Sequence, residues 1–364
     1  MSMVVIIGGQ FGGEGKGKIT AHLCRTYNFD VAVRCGGPNS GHTITFADRQ
    51  MILRQIPAGV VNPRIKLFLA AGCLIDIDVL FKEIGLFNLT PERLKVDRNA
   101  VIISKKDIDK ERQSKLDKRI GSTCTGVGFA VSKRVLREKN VKMAKDIPEL
   151  RDYIADVPEE LALYRKRNKR IIIEGTQGFG LSVYHSPYYP YVTSRDTTAA
   201  GFLSEVGISP LEVSDIVMVI RTFPIRVGGN SGPLPNEIDW GTIQIESGYP
   251  YEIKEFTSVT KRLRRVGRFD IELVKRAINV NKPTHIALMG VDYIDYKNKG
   301  VRDFNKLTKK AKDFISYLEK ELETKISFIG TGPADYEIVD LLEVYQNHEK
   351  EVNINAVFVK IPMS

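Results

Sequence analysis

The first stretch that could do chemistry is Gly8-Gly-Gln-Phe-Gly-Gly-Glu-Gly-Lys-Gly-Lys18. It follows the apolar run Val4–Ile7 and leads into Ile19-Thr-Ala-His-Leu23. Glycines at 8, 9, 12, 13, 15 and 17 let backbone N–H groups turn inward. The helix that follows adds the positive end of its dipole, and Lys16 and Lys18 add charge, which is how a polyphosphate is cradled. Gly12-xxxx-Gly17-Lys18 has the Walker A spacing, but Ile19 stands where Ser or Thr would hold magnesium. A generic Walker A NTPase is therefore disfavoured, and any metal ligand must come from elsewhere. A second cluster, Lys261-Arg-Leu-Arg-Arg265, could clamp carboxylates, lie solvated, or meet nucleic acid. It has no interleaved aromatics and belongs to no DNA-binding motif.

The elements behind these loops read as alternating strands and helices. Val4–Ile7, Val31–Val33, Leu67–Ala71, Val101–Ile103, Ile171–Ile173, Ile216–Ile220, His285–Leu288 and Ile326–Ile329 are apolar on both faces, as central strands of a buried parallel sheet are. Ile271, Val274 and Ile278 share one helical face. Phe304, Leu307, Ala311, Phe314, Ile315, Leu318 and Leu322 share another. The pattern predicts an α/β layered sheet. Pro148 and Pro158 interrupt a charged helical stretch expected to cover the outside.

The 364 residues allow one large α/β domain or about two smaller ones. With 43% hydrophobic and 27% charged residues, disorder of the whole chain is excluded. The net charge of +10 favours anionic partners without choosing among them. No run approaches the roughly 20 apolar residues of a membrane span, and the first residues lack a basic n-region. Cys24, Cys35, Cys73 and Cys124 lie far apart without a CxxC pair, so a cytoplasmic, reducing setting is expected rather than zinc or disulfides.

Several motifs, taken in order, resemble those of adenylosuccinate synthetases. Gly8–Lys18 resembles Gly-x-Gln-Trp-Gly-Asp-Glu-Gly-Lys-Gly-Lys. Gly36-Gly-Pro-Asn-Ser-Gly-His-Thr43 resembles Gly-Gly-x-Asn-Ala-Gly-His-Thr, and Gly121–Gly128 resembles Gly-Thr-Thr-Gly-Arg-Gly-Ile-Gly. Glu174-Gly-Thr-Gln-Gly178, Tyr189-Pro-Tyr-Val-Thr-Ser194, Arg226-Val-Gly228, Arg262-Leu-Arg-Arg265 and Gly330-Thr-Gly-Pro333 follow in the family's order. The resemblance covers nearly the whole chain. It implies a P-loop-NTPase-like fold: a large, mostly parallel central sheet with helices on both faces. It further implies a single domain over 1–364, with insertions at about 105–165 and 225–265. The family's reaction joins L-aspartate to the 6-position of a 6-oxopurine nucleotide. A nucleoside triphosphate first phosphorylates O6, and the aspartate amine then displaces that phosphate.

By the same resemblance, the nucleoside triphosphate is expected at Gly12, Gly13, Glu14, Gly15, Lys16, Gly17 and Lys18. It is also expected at Gly41, His42 and Thr43, at Gly290, Val291 and Asp292, and at Gly330, Thr331 and Gly332. His42 matches a histidine acting as general acid on the β/γ-phosphates, the Gly41 carbonyl matches a magnesium ligand, and Lys18 joins the catalytic set. Gln177 matches the glutamine at the purine O6, where an amide stabilises a developing oxyanion without changing charge. The acceptor nucleotide is expected at Gly13, Glu14, Asn39, Ser40, Thr123, Gln177, Thr193 and Arg262. Arg137 matches an arginine that reaches the 5′-phosphate from the other subunit of a homodimer. Aspartate is expected at Thr257, Ser258, Val259, Thr260, Arg262 and Arg264. No nucleic-acid or membrane partner is expected.

Two departures from the family pattern matter most. Gly13 stands where the family has the aspartate that takes the N1 proton and ligates magnesium. That side chain would face the purine N1/C2 edge, so glycine leaves room for a 2-amino group. This resembles a phage-encoded branch of the family that acts on 2′-deoxyguanylate (dGMP), giving 2-amino-2′-deoxyadenylosuccinate for diaminopurine DNA, and implies a setting in host cytoplasm. The proton acceptor is left open among Glu14, Gln10 and a water. Leu288-Met-Gly-Val-Asp292 stands where the family has Thr-Lys-x-Asp, its guanine-recognising segment for GTP; Gly290 replaces the lysine, so ATP is the expected donor with GTP possible. Thr125 in place of an arginine, and Val259 and Lys261 in the aspartate loop, are smaller departures. Two readings compete with a dGMP-using ligase: an ordinary adenylosuccinate synthetase acting on inosinate (IMP) with GTP, and a non-catalytic nucleotide- or nucleic-acid-binding protein.

Overall fold

The computed structural model describes residues 1–342. Its centre is a ten-stranded sheet. The spatial order is Ile338–Asp340, Ile326–Gly330, His285–Met289, Asp215–Arg221, Met3–Gly8, Ile171–Glu174, Val31–Arg34, Lys66–Leu69, Leu94–Asp97, Ile154–Ala155. All neighbours run parallel except Ile338–Asp340, which pairs antiparallel with Ile326–Gly330. Met3–Gly8 lies mid-sheet between Ile171–Glu174 and Asp215–Arg221, with Val5 opposite Ile173 and Ile216. Every residue of that strand is buried, which accounts for its unbroken apolar run. Helices such as Lys16–Thr26, Ala199–Val206, Ile271–Asn281 and Lys309–Leu322 cover the sheet with their apolar stripes.

Some elements differ from the sequence expectation. Val101–Ile102 lies outside the main sheet and pairs with Leu74–Ile75 in a separate two-stranded piece. The stretch holding Pro148 and Pro158 is not one interrupted helix. Pro148 opens the short turn Pro148–Tyr153, Ile154–Ala155 forms the sheet's edge, and Pro158 lies in the first turn of helix Val157–Lys166, capped by Asp156. Proline suits a first turn because its missing N–H has no helical partner there. Phe304 and Leu307 precede the last helix, since Thr308 accepts from the Ala311 N–H and starts it at Lys309.

Parallel strands put all their carboxyl ends on one edge of a sheet, the edge where α/β folds hold ligands. The loops after Met3–Gly8, Val31–Arg34, Ile171–Glu174, His285–Met289 and Ile326–Gly330 are the motif loops named above. Two smaller pieces add to that edge. The hairpin His42–Phe46/Arg49–Leu53 starts at His42 and turns through Ala47 and Asp48, both at positive φ (47° and 57°). A three-stranded piece, Ile225–Arg226, Arg265–Gly267 and Glu237–Ile238, carries the Thr257–Arg264 loop.

Candidate active site

Gly15, at φ 107°, begins helix Lys16–Thr26 without a side-chain cap, so the helix N-terminus keeps its N–H groups for an anion. Glu14 folds back into the loop. Its Oε1 accepts from the Gln10 and Gly12 N–H groups (3.2 and 2.7 Å), and its Oε2 accepts from Lys16 Nζ at 2.5 Å. Gln10 is fastened through both amide atoms to the Arg221 backbone. Both side chains are engaged in holding the loop. Lys18 Nζ donates to the Gly332 and Glu337 carbonyls (2.5 and 2.9 Å), tying this loop to the Gly330–Pro333 turn. Burial lowers its pKa to about 8, against the pull of Asp292, Glu337 and Asp335.

His42 packs so closely on the helix start that a Cβ at Gly17 would lie 2.6 Å from its Cβ. Its Nδ1 contacts the Glu174 carboxylate; Arg34 Nη1 lies 2.5 Å from the same nitrogen and 3.0 Å from that carboxylate. Glu174 can only accept and the Arg34 guanidinium can only donate, so the two pull the Nδ1 proton in opposite senses. Burial, then Arg34, depress the His42 pKa to about 4, with Glu174 opposing. Burial pulls Glu174 upward, yet Arg34 and His42 together hold it below the usual carboxylate range. Gln177, at φ 63°, sits on the phosphate loop: a Cβ at Gly8 would lie 2.5 Å from its carbonyl oxygen, and one at Gly12 would lie 3.5 Å from its Cα.

Thr123 and Arg262 line one cavity of about 260 Å³ with Thr260, Ser122, Cys124, Asp117 and Arg112. This joins a residue expected at the acceptor nucleotide to the aspartate loop, and adds Arg112, which no motif had marked. Asn39 and Ser40 are half-buried, and Ser40 Oγ has no partner among the described residues. The Thr193 N–H donates to the Leu181 carbonyl, just beyond the Gln177 turn. Arg137 stands apart from this cluster, exposed at the end of helix Val127–Leu136 beside exposed Val135 and Leu136.

The Thr257–Arg264 loop is a closed turn. Thr257 Oγ1 accepts from the Arg262 N–H (2.9 Å) and meets Thr260 Oγ1 at 2.7 Å, while Ser258 Oγ reaches the Gly41 carbonyl at 3.5 Å. Val259 is half-buried, and Arg262 is exposed. Arg264 reaches the first loop. A Cβ at Gly13 would lie 2.1 Å from its Nη1 and 3.0 Å from Ile225 Cδ1. The room beside Gly13 is therefore held by a guanidinium rather than left open. Behind it, Arg221 forms a paired bridge to Glu255, donates to the Gly13 carbonyl at 3.2 Å, and shares Glu255 with the Tyr293 hydroxyl (2.9 Å).

On the far side of the loop, Gly290 adopts φ 79° and starts the turn Val291–Tyr293. Asp292 is buried, and its carboxylate accepts from the Tyr249 hydroxyl. Burial raises the Asp292 pKa, with the Tyr249 bond and Lys18 opposing. Tyr249 packs edge-on against Tyr251 and at a tilt against Tyr293 and Tyr296, with the Lys299 ammonium over its ring. Cys24, Cys35 and Cys73 are buried thiols, and burial pushes Cys73 up to about 12.

A family model described as adenylosuccinate synthetase matches residues 5–147 and 138–299. The chain belongs to the adenylosuccinate synthetase family. Adenylosuccinate synthetases of Methanocaldococcus jannaschii and Archaeoglobus fulgidus are each 42% identical to it, over 346 and 343 residues. These matches span 94% of this chain and 97% and 98% of theirs. A fully ligated adenylosuccinate synthetase from Plasmodium falciparum shares the fold, with a TM-score of 0.84 over 93% of this chain and 100% of that one, at 24% identity. The succinoaminodeoxyadenylate synthetase of cyanophage S-2L, bound to dGMP and to dATP as an energy donor, aligns with a TM-score of 0.78. Its identity is 26%, covering 93% of this chain and 95% of that one. As an adenylosuccinate synthetase-type protein, the chain is a carbon–nitrogen ligase. Among its described residues, no helix is long and apolar enough to cross a membrane.

Proposed function

We propose that this ligase joins L-aspartate to the 6-position of dGMP, with ATP as phosphate donor, giving 2-amino-2′-deoxyadenylosuccinate for diaminopurine DNA. The observation that carries the reading is at residue 13, where the family's carboxylate is replaced by glycine and the Arg264 guanidinium takes its place. Glycine at residue 13 removes the carboxylate that would crowd a 2-amino group at the N1/C2 edge, and with it the group that takes the N1 proton. The cyanophage protein described with dGMP supports the acceptor. ATP is supported by Gly290, which replaces the family lysine, and by the Tyr249 hydroxyl, which engages the Asp292 carboxylate that a guanine would need. A phage-encoded protein of this kind works in the host cytoplasm.

In the mechanism, the open N-terminus of helix Lys16–Thr26 with Lys16 and Lys18 receives the β/γ-phosphates. His42, oriented by Glu174, faces them through Nε2; bound phosphate raises its pKa and lets it donate a proton as charge develops on the leaving oxygen. Gln177 donates its amide to O6. Arg262, with Thr257 and Thr260, holds the aspartate carboxylates. Magnesium, a hard cation that prefers oxygen ligands, would be held by the Gly41 carbonyl with the nucleotide's own phosphates. When bound, it neutralises charge on the transferring phosphoryl group. Asn39, Thr123 and Thr193 serve the acceptor nucleotide, and Arg137 completes its phosphate site from a second copy of the chain.

A second reading, inosinate as acceptor and GTP as donor, is favoured by one observation: the archaeal relatives at 42% identity are named adenylosuccinate synthetase. Incubation with aspartate, ATP or GTP, magnesium and each of inosinate, deoxyinosinate, guanylate and dGMP separates the two, with products identified by mass. The expected result is the succino-product of dGMP, formed faster with ATP. Product from inosinate alone would decide for the second reading.

A further inference from the structure

Arg264 is held as a fixed part of the site. Its N–H donates to the Glu255 carbonyl (2.8 Å), its carbonyl accepts from Trp240 Nε1 (2.8 Å), and its Nε donates to the Phe256 carbonyl at 3.2 Å. Three anchors on backbone and Nε leave the Nη1 tip as the free end, and that tip occupies the position a residue-13 side chain would take. Glu255, the counter-charge that acts most strongly on Arg264, is already paired with Arg221 and bonded to Tyr293, so it answers Arg264 only in part. Burial lowers the pKa of Arg264, with Glu255 opposing, yet so strong a base stays charged. The loop's other acceptor candidates, Glu14 and Gln10, are engaged.

We infer that Arg264 is a catalytic residue which replaces the family's general base by electrostatics: its guanidinium beside the purine N1 stabilises the deprotonated base, so that solvent water takes the N1 proton. This deepens the reading above and rests on the purine edge facing residue 13. The N1–H bond breaks, its proton passes to water, and its electron pair delocalises onto O6. O6 then forms a bond to the γ-phosphorus while the bond from that phosphorus to the β-bridging oxygen breaks, releasing the nucleoside diphosphate. The aspartate amine later attacks C6, phosphate leaves with O6, and the amine loses its proton to solvent. A cation within a few ångströms of a developing anion shifts its ionisation by about 1–3 pH units.

The test is an ultraviolet titration of the bound nucleotide, which reports N1 ionisation directly and needs no turnover. It is run with dGMP and inosinate in parallel, so that acceptor preference, which belongs to the reading above, is separated from displacement of the ionisation. The wild-type protein is expected to lower the N1 ionisation of its bound nucleotide by about one pH unit or more relative to free nucleotide. Arg264→Lys should keep most of that displacement and Arg264→Gln should abolish it. An undisplaced ionisation in the wild type overturns the proposal. So does an Arg264→Gln protein with the wild-type displacement and only a raised KM for aspartate, because Arg264 would then serve aspartate alone.

Discussion

Replacing Gly13 with aspartate restores the family carboxylate and tests the acceptor reading. The new Cβ would begin 2.1 Å from Arg264 Nη1, so the guanidinium must retreat by more than an ångström; Ile225 Cδ1 at 3.0 Å must yield a few tenths. The obstacle is the end of a flexible side chain, so the variant should fold. Residue 13 sits at φ 70°, which aspartate tolerates at a cost of roughly 1 kcal/mol. For a chain of this size that lowers Tm by about 2 °C. The displaced Arg264 then pairs with the new carboxylate, and its charge is lost to the purine. Removing one preorganised donor to a developing oxyanion costs roughly 3 kcal/mol, or about 100-fold in rate. The assay is phosphate release with dGMP or inosinate under saturating aspartate and ATP. Gly13→Asp should lose about 100-fold in kcat/KM on dGMP and gain relative activity on inosinate. In the double variant with Arg264→Gln the two losses should fall well short of adding, because both act at one spot. Undiminished dGMP use by Gly13→Asp would refute the reasoning.

Three further outcomes are expected. Tyr249→Phe removes the hydroxyl bound to Asp292, freeing that carboxylate for a guanine; the GTP-to-ATP ratio of kcat/KM should rise about tenfold, consistent with one charged hydrogen bond, and an unchanged ratio would disconnect Asp292 from the donor base. Glu14→Ala strands a buried N–H, a half-buried one and Lys16, costing roughly 3 kcal/mol or more; urea unfolding showing under 1 kcal/mol would mean the loop does not depend on it. His42 falls from an ordinary 6.5 to about 4 in the folded protein, so the unfolded chain takes the proton first as pH drops. Its stabilisation is complete above pH 6.5 and is lost towards pH 4, amounting to about 2 kcal/mol between pH 7 and pH 5. Urea unfolding at the two pH values should show that slope flattened in His42→Gln, and an equal slope in the variant would assign the loss elsewhere.

What could be read in advance follows from where the physical signal lies. Fully buried strands such as Val31–Arg34 and Ile171–Glu174 announce themselves because both faces must be apolar. Leu94–Asp97 and the edge pair Ile154–Ala155 are short; Lys95 and Asp97 interrupt the first and the second is only two half-buried residues, so nothing in their composition separates them from loops. Val101–Ile102 has the composition of a core strand but joins Leu74–Ile75, because its packing partners are Val127 and Ala130 of the covering helix. The hairpin at His42 escaped for another reason. Its turn uses Ala47 and Asp48 at positive φ, where Asn-Gly would have been the visible signature. The motif loops were legible because parallel strands place them on one edge. The Arg264 tip beside Gly13 was not, since only tertiary packing brings the aspartate loop against the phosphate loop. Arg34 left one faint signal, a charge closing the apolar run Val31-Ala-Val33.

The alterations at residues 13 and 292 address one problem. In the family pattern two carboxylates read purines: the one matched by Gly13 at the acceptor, and Asp292 at the donor. Here the first is replaced by a guanidinium tip, and the second is buried under a tyrosine hydroxyl. On the proposed reading the acceptor site takes a base with a 2-amino group, so guanine nucleotides of every phosphorylation state compete for the protein. Binding GTP as donor would then place guanine in both pockets. Discrimination between them is a difference of affinities, and it is served by building the donor site against guanine as much as by building the acceptor site for it. Tyr249 supplies that opposition: displacing its hydroxyl from Asp292 leaves a buried donor to find a new partner, a cost of about 1–3 kcal/mol that adenine does not incur. The two changes should therefore be coupled in effect. Tyr249→Phe should raise guanine-nucleotide inhibition at the donor site most in a background that retains Gly13, and the increase should be no larger there than in Gly13→Asp if the sites evolved without reference to each other.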